Sequence, residues 1–441
     1  MELGFTLVAC IVVLGFFALM ILGLPIAFCL ITSFVIFTLL FWDPQALYVV
    51  PTTIFSQSTK EVFLAIPLFV FLAAILERSG IAENLFDMFY KWVGRLGGGL
   101  AIGCVVICTI IDAISGLGAS GIVTIGSLGL KEMFKRGYNK RMAIGCIAAG
   151  SALGPLIPPS VIMIIISGFT GLSVGKLFAG GLFPGLLCSA GFIVYIATAC
   201  LLRPQMGPPI SVQVRVTWRD RVLSLRAVIL PVLLILAVMG SIYTGITTPT
   251  EGAAVGAFGA LVCAAINGKL SWRSVYEAGR SSVRTTCMVM WLLIGGSLFS
   301  SLLNAIGVQE SVSQLLKGVE TQYGSISVLV IMMIIVFIMG MFIDGAAITV
   351  LTMPIFFPVV TSTNIDPLWF AILFTINIVM GYLTPPFGMN LFYMKGITPP
   401  EINMSDIYRS IFPYVGIMVV VLIVVMLFPG IATWFPNTVI K

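Results

Sequence analysis

Apolar residues run along this chain in blocks of roughly 17 to 25, the length of helix that crosses a bilayer's hydrocarbon core. The blocks fall at 5–22, 24–41, 62–77, 142–167, 177–202, 227–244, 251–267, 285–303, 367–395 and 411–429, predicting ten helical spans. Two of them are broken inside. Gly154-Pro155-Leu156-Ile157-Pro158-Pro159-Ser160 and Gly381-Tyr382-Leu383-Thr384-Pro385-Pro386-Phe387 share the pattern Gly-x-Leu-x-Pro-Pro. Adjacent prolines remove two backbone donors and clash with the preceding turn, and the glycine adds backbone freedom, so each span must unwind near its middle. Lipid cannot satisfy the freed carbonyls. Such backbone persists at membrane depth only inside protein or along a wet cavity, and a matched pair of broken spans points to a transporter's binding site.

Two further apolar stretches do not read as simple spans. Residues 100–130 run apolar, then Ser115-Gly116-Leu117-Gly118-Ala119-Ser120-Gly121, then apolar again, with Arg95 before and Lys131 after. Basic residues at both ends predict a segment that leaves and returns on one side, a re-entrant hairpin with a small-residue tip. Residues 325–362 repeat the form with a tip at Asp344-Gly345-Ala346-Ala347 and no basic residue at either end, so this hairpin enters from the opposite face.

The landmarks recur. Pro158 and Pro385 are 227 residues apart, Asp112 and Asp344 are 232 apart, and Phe183-Pro184 and Phe412-Pro413 are 229 apart. Each half holds three spans, a charged amphipathic stretch (80–95; roughly 305–322), a hairpin, a broken span and a final span. Five crossings per half is an odd number, which turns the second copy upside down: an all-α integral membrane protein built as an inverted repeat.

Charge orients it. Three basic loops, Lys131/Lys135/Arg136/Lys140/Arg141, Arg203/Arg215/Arg219/Arg221/Arg226 and Lys269/Arg273/Arg280/Arg284, are placed on the cytoplasmic side, which leaves the N-terminus outside. The segments around Pro249 and 359–366 hold no basic residue and belong opposite. A net charge of +6 spread over short loops is membrane topology and gives no face for nucleic acid. At 59% hydrophobic and 9% charged, a chain of 441 residues has too little polar surface for a soluble domain. The absence of histidine excludes imidazole catalysis and His-containing metal sites. Nine cysteines without a Cys-x-x-Cys pair, among them Cys10, Cys104, Cys108, Cys188 and Cys263, read as small buried hydrophobes. Before Lys60 there is no Lys or Arg, so the first apolar run lacks the basic start of a cleaved signal and reads as a retained span.

At this point the residues resemble a known family. Asp112-Ala113-Ile114-Ser115-Gly116 through Ile157-Pro158-Pro159-Ser160, Thr248-Pro249-Thr250-Glu251-Gly252-Ala253-Ala254, and Gly340 to Asp344 through Thr352-Met353-Pro354 to Pro358 are together similar to the large membrane subunit of tripartite ATP-independent periplasmic (TRAP) transporters. Leu117 and Gly118 stand where the family's first tip is usually richer in serine, which shifts ligation there toward backbone carbonyls. The resemblance implies a bacterial inner-membrane, Na⁺-driven importer of a small organic anion. It would receive its solute from a periplasmic solute-binding protein, work beside a small membrane subunit, and move by an elevator motion. Residues 97–167 and 325–395 would then form the moving unit. Residues 1–96 and 168–324 form the scaffold, and 396–441 a final span belonging to the scaffold or supporting the moving unit.

No Lys or Arg lies in the middle of a span or hairpin, so an anion must be held otherwise. The half-helix N-termini after Gly121, Ala346, Pro159 and Pro386 offer partial positive charge, which makes Ser120, Gly121, Ser160, Ala346, Ala347 and Pro386 the candidate substrate contacts. Na⁺, a hard cation, takes oxygen ligands from broken helices. One ion is expected between Ser115-Gly116 and Gly154, Ile157 and Pro158, and a second between Asp344-Gly345 and Gly381 and Thr384. Plainer roles stand beside these: Asp112 and Asp344 as helix caps, Thr384 as backbone satisfaction in a kink, Ser115 and Ser120 as small-residue packing, and Glu251 as a cap. Met288, Met290 and Trp291 form no cofactor box. Competing readings are a stand-alone Na⁺ or H⁺ dicarboxylate symporter and the membrane subunit of a sodium-pumping decarboxylase. No enzymatic chemistry is expected, and the chain holds no Walker A motif.

Overall fold

The two halves trade partners across the molecule. The computed structural model describes residues 2–94, 96–116, 118, 120–209 and 217–440; Arg95, Leu117, Ala119 and Arg215, named above, lie outside the described residues. The first half comprises α1 (Glu2–Ile21), α2 (Ile26–Phe41), α3 (Val49–Ser58), α4 (Ala65–Arg78), α5 (Ile81–Val93), α6 (Gly99–Ser115), α7 (Ser120–Lys135), α8 (Lys140–Ala152), α9 (Val161–Thr170) and α10 (Val174–Leu202). The second comprises α11 (Trp218–Tyr243), α12 (Pro249–Ile266), α13 (Trp272–Ala305), α14 (Val308–Tyr323), α15 (Ser325–Gly340), α16 (Gly345–Ser362), α17 (Pro367–Gly381), α18 (Met389–Ile397), α19 (Met404–Leu427) and α20 (Gly430–Val439). Helix α2 packs on α13 and α12 on α4, while α9 packs on α16 and α18 on α7. The final spans follow the same rule, α19 against α8 and α10 against α17. Each half thus completes the core of the other, as an inverted repeat requires.

By length and apolarity α10, α11, α12, α13, α16 and α19 can each cross a membrane, and the pair Pro44–Ser58 with Glu61–Arg78 passes only when its two parts, bent by 59°, are taken together as a broken span or a re-entrant segment. Helix α16 passes that test although it is a hairpin arm that turns back at Asp344. The broken spans α8–α9 and α17–α18 fail it because each half-helix is short.

Three expectations are corrected. The run expected as a span at 62–77 is preceded, across a 59° bend, by the helix α3, which the polar Thr52, Thr53, Ser56, Gln57 and Ser58 kept out of the apolar pattern. Much of the basic charge rides on helix ends, not in loops. Arg273, Arg280 and Arg284 sit on α13, whose 34 residues span about 50 Å and therefore project beyond the hydrocarbon. Cys10 and Cys287 are exposed, while the other seven cysteines are buried.

Hydrogen bonds sort the loops into two ends. Gly98 donates its amide to Gly207 O, Asn139 to Met206 O, and the Trp92 indole to Arg221 O, at 2.8, 3.1 and 3.2 Å, which gathers the first two basic segments at one end. At the other, Thr250 Oγ1 donates to Glu61 O and Lys60 Nζ to Gly168 O, at 3.4 and 2.9 Å. Helix α12 opens there in a capping box between Thr248 and Glu251, an arrangement worth about 1 kcal/mol. Glu251 is thus a cap, the plainer of its roles.

The amphipathic helices brace the hairpins. Helix α5 buries Ile81, Ala82, Leu85 and Met88, spaced for one helical face, and packs on the first hairpin arm α6. Helix α14 packs correspondingly on α15. After the final span α19, the short helix α20 folds back onto α10, where Phe183 and Phe435 meet edge to face at 5.5 Å.

Candidate functional site

The first tip is closed by glycines. Gly116, at φ +66°, ends α6 and donates its amide to Asp112 O at 2.8 Å; Gly118 follows at φ +75°. One turn back from the tip, the fully buried Asp112 carboxylate accepts the Gly121 amide at 3.0 and 3.1 Å and so caps α7 across the turn. The second tip does the same from a different place in the chain. Asp344 is itself the N-cap of α16 and accepts the Ala346 amide at 3.0 Å. The unequal offset, 232 for the aspartates against 227 for the prolines, reflects this: the carboxylates are equivalent in task but not in position.

Both tips are pressed against the breaks. A methyl group added at Gly154 would lie 2.7 Å from Asp112 O and 3.0 Å from Gly118 N, and one at Gly116 3.0 Å from Pro159 O. In the first break the Leu156 and Ile157 amides both turn to Leu153 O, at 3.0 Å each, and among the described residues no backbone amide reaches the carbonyls of Ile157, Pro158 or Pro159. Ser160 Oγ donates to Pro155 O at 2.5 Å and accepts the Met163 amide at 3.3 Å, which starts α9. In the second break the Tyr382 and Thr384 carbonyls accept the Asn390 and Gly388 amides, each at 3.2 Å, and Phe387 donates its amide to Met341 O of the second tip at 3.1 Å. Gly381 and Gly340 meet backbone to backbone, where an added Cβ on Gly381 would stand 2.7 Å from Gly340 Cα. Both Pro-Pro bonds, Pro158-Pro159 and Pro385-Pro386, are cis.

The structure therefore sets Gly116 against Pro159 and Ser160 and Gly154 against Asp112 and Gly118 at one junction, with Ser115 and Pro158 next to these contacts in the chain. At the other it joins Asp344 and Gly345 to Tyr382, next to Gly381 and two residues before Thr384. Ile157 departs from its group in that its side chain packs toward Gly185 of α10. The Thr384 hydroxyl donates to Met380 O at 2.8 Å, which leaves its oxygen lone pairs free to accept. Of the residues named for an anion, Gly121 and Ala346 give their amides to the chain's own aspartates, Ser160 caps α9, Ala347 is buried in the first turn of α16, and the Pro386 carbonyl accepts Tyr408 OH at 2.8 Å. Ser120, which opens α7, is half-buried. The first-turn amides of α7 and α16 named for an anion thus already have acceptors in the Asp112 and Asp344 carboxyl groups.

Three residues that pattern alone did not single out join the junctions. Tyr382 OH donates to Asp344 Oδ1 at 3.4 Å, and its ring lies 3.5 Å from where a side chain at Gly118 would begin. Asn390 Nδ2 donates to Ala148 O at 3.4 Å, tying α18 to α8. Asn377 Nδ2 donates to Met333 O within the second unit. Polar side chains in apolar spans were the available signal for both asparagines.

Two hairpins entering from opposite ends, each tip seated on a broken span, define an all-helical membrane transport protein with an inverted repeat. The sequence model of the family described as "Tripartite ATP-independent periplasmic transporter, DctM component" matches residues 13–431. The chain belongs to this family, whose members are transporter permeases of the bacterial inner membrane and not enzymes. It is 31% identical to a C4-dicarboxylate TRAP transporter large permease protein of Pseudomonas aeruginosa, covering 91% of this chain and 92% of that one. To the corresponding protein of Vibrio cholerae it is 30% identical, covering 95% of each. An isethionate TRAP transporter permease of Oleidesulfovibrio alaskensis, named DctMQ, is 30% identical over 96% of this chain and 66% of its own length. Among solved structures, the YdaH transporter of Alcanivorax borkumensis shares the fold at TM-score 0.64, with 14% identity and coverage of 88% and 89% of the two chains. The large permease of this family works with a periplasmic binding protein and a small membrane subunit.

Proposed function

We propose that this chain is the large subunit of a Na⁺-coupled importer that takes a small organic carboxylate or sulfonate from a periplasmic solute-binding protein and carries it by an elevator motion. One observation carries the reading: each hairpin tip is seated on its own broken span, and α9 packs on α16 as α18 packs on α7, so hairpins and broken spans form one body. Helices α10 and α19 pack onto that body and move with it, which takes α10 out of the scaffold expected at 168–324. Helices α2, α4, α12 and α13 pair with one another as the fixed part and meet the body where α13 packs on α16 and α4 on α6. Carbonyls at the two breaks and the Thr384 hydroxyl supply the oxygen donors a hard cation requires. Relatives named for C4-dicarboxylates and for isethionate are equally similar at 30%, so overall identity does not choose between carboxylate and sulfonate.

The test is uptake into proteoliposomes holding this chain and its small subunit, with the binding protein outside. Uptake should follow an inward Na⁺ gradient without ATP and stop without the binding protein. Uptake that persists when K⁺ replaces Na⁺ at constant pH overturns the coupling, and uptake without the binding protein indicates a stand-alone symporter.

A further inference from the structure

The only lysine or arginine before residue 78 is Lys60, and it stands at the 59° bend between α3 and α4. Beside it, between α3 and α13 on one side and α9 and α16 on the other, is a pocket of about 310 Å³. Its polar lining is Lys60, Gln57, Ser297 and Ser300, and Lys60 is the one charged side chain among the described lining residues. The pocket lies at the end without basic loops, since Lys60 Nζ reaches Gly168 O near the end of α9. Gln57 is 8% exposed; its Nε2 donates to Ser297 Oγ at 2.9 Å, and its Oε1 is buried with no hydrogen-bond partner. A buried amide oxygen without a donor is costly to keep, so the site is arranged to be completed by a ligand. Ser300 Oγ accepts Gln309 Nε2 at 3.1 Å, leaving its own proton to give.

We propose that this pocket is an anion site in the wall facing the hairpin body. Lys60 takes the acid group of the transported molecule, and a turn of the Gln57 side chain brings its Oε1 to a hydroxyl or amine hydrogen borne on the same molecule. The proposal rests on the transport reading above and deepens it. The hairpin amides at Gly121 and Ala346 are spent on aspartates, whereas here a cation lines space for a small solute and an unpaired acceptor lies buried in the wall beside it. Preference for acids carrying a nearby donor follows, because an analogue lacking it leaves Oε1 unpaired.

The experiment uses the complex with its small subunit, with the exposed Cys10 and Cys287 replaced and a single cysteine placed as Ser300→Cys or Ser297→Cys. The probes are 2-sulfonatoethyl methanethiosulfonate and its trimethylammonium counterpart. With Lys60 present the anionic reagent should react faster, and Lys60→Gln should shift the ratio of the two rates by roughly tenfold toward the cation, with Lys60→Arg restoring it. In uptake, Lys60→Gln should raise KM for the delivered anion while the dependence on Na⁺ is kept. Gln57→Leu should reduce discrimination between a hydroxylated acid and its deoxy analogue. An unchanged reagent ratio in Lys60→Gln, or an unchanged KM, overturns the site while Na⁺-driven uptake stands. Failure of Na⁺-driven uptake in the parent protein overturns the transport reading instead.

Discussion

Tyr382 OH stands 3.4 Å from Asp344 Oδ1, while the edge of its ring closes on Gly118 of the opposite hairpin. One side chain in the second break therefore bonds to one tip and lies beside the other. At 3.4 Å the hydrogen bond is long and weak, so the ring and not the hydroxyl does most of the positioning. Tyr382→Phe should keep its thermal stability in detergent within about 1 kcal/mol of the parent and retain uptake, whereas Tyr382→Ala should lose most uptake. Equal loss in both variants would assign the role to the hydroxyl.

Asp112 tests cap against charge. Asparagine keeps an acceptor for the Gly121 amide, and alanine does not. If Asp112 serves α7 only as a cap, Asp112→Asn should behave as the parent, and Asp112→Ala should be less stable by about 1 kcal/mol and more if the amide stays unpaired. Loss of Na⁺ dependence in Asp112→Asn, with stability unchanged, would show that the charge itself is used.

Gly381→Ala should separate α15 from α17. The atom its Cβ would meet at 2.7 Å is the Gly340 Cα, which is backbone and cannot rotate away. Overpacking of this kind costs about 1–3 kcal/mol, seen as a lower melting temperature. Gly416→Ala, where nothing lies within 4 Å, is the control and should change stability by less than about 0.5 kcal/mol.

Thr384→Ala removes a side-chain oxygen from the second junction and should raise the Na⁺ concentration for half-maximal uptake about fivefold, with Thr384→Ser restoring it. Ile157→Ala at the matching position of the first half removes packing toward Gly185, not a ligand atom, and should lower stability while leaving Na⁺ affinity alone. Identical Na⁺ affinities in Thr384→Ala and the parent would leave Thr384 with its bond to Met380 O and nothing more.

The small subunit should dock on the outer spans. Leu236 of α11 and Phe258 of α12 are exposed by 61% and 69%, whereas Ala347 at the second tip is 2% exposed. A partner on the hairpin body would have to travel with it. Single cysteines at Leu236 or Phe258 should crosslink to the small subunit, and one at Ala347 should not; the reverse pattern would place the partner on the moving body.

Much of this molecule was legible in its sequence, because a membrane imposes local rules. Span length, the Pro-Pro breaks, small-residue tips and basic segments each act through the backbone or the bilayer and leave a mark at one place in the chain. The inverted repeat followed from spacing alone, since Phe183-Pro184 and Phe412-Pro413 do lie inside the matching final spans α10 and α19. What spacing could not decide is which amides remain free. Asp112 and Asp344 looked equivalent by offset, yet one reaches across a turn and the other caps its own helix, and both occupy the amides expected for a substrate. Nor could it show that Lys60, read only as the first basic residue, would face a pocket with Gln57, Ser297 and Ser300, since Gln57 and Ser297 are 240 positions apart. Such juxtapositions arise from packing between the two halves, where hydrophobic burial is non-directional and the partner of a polar atom is set by the whole fold and not by its neighbours in the chain.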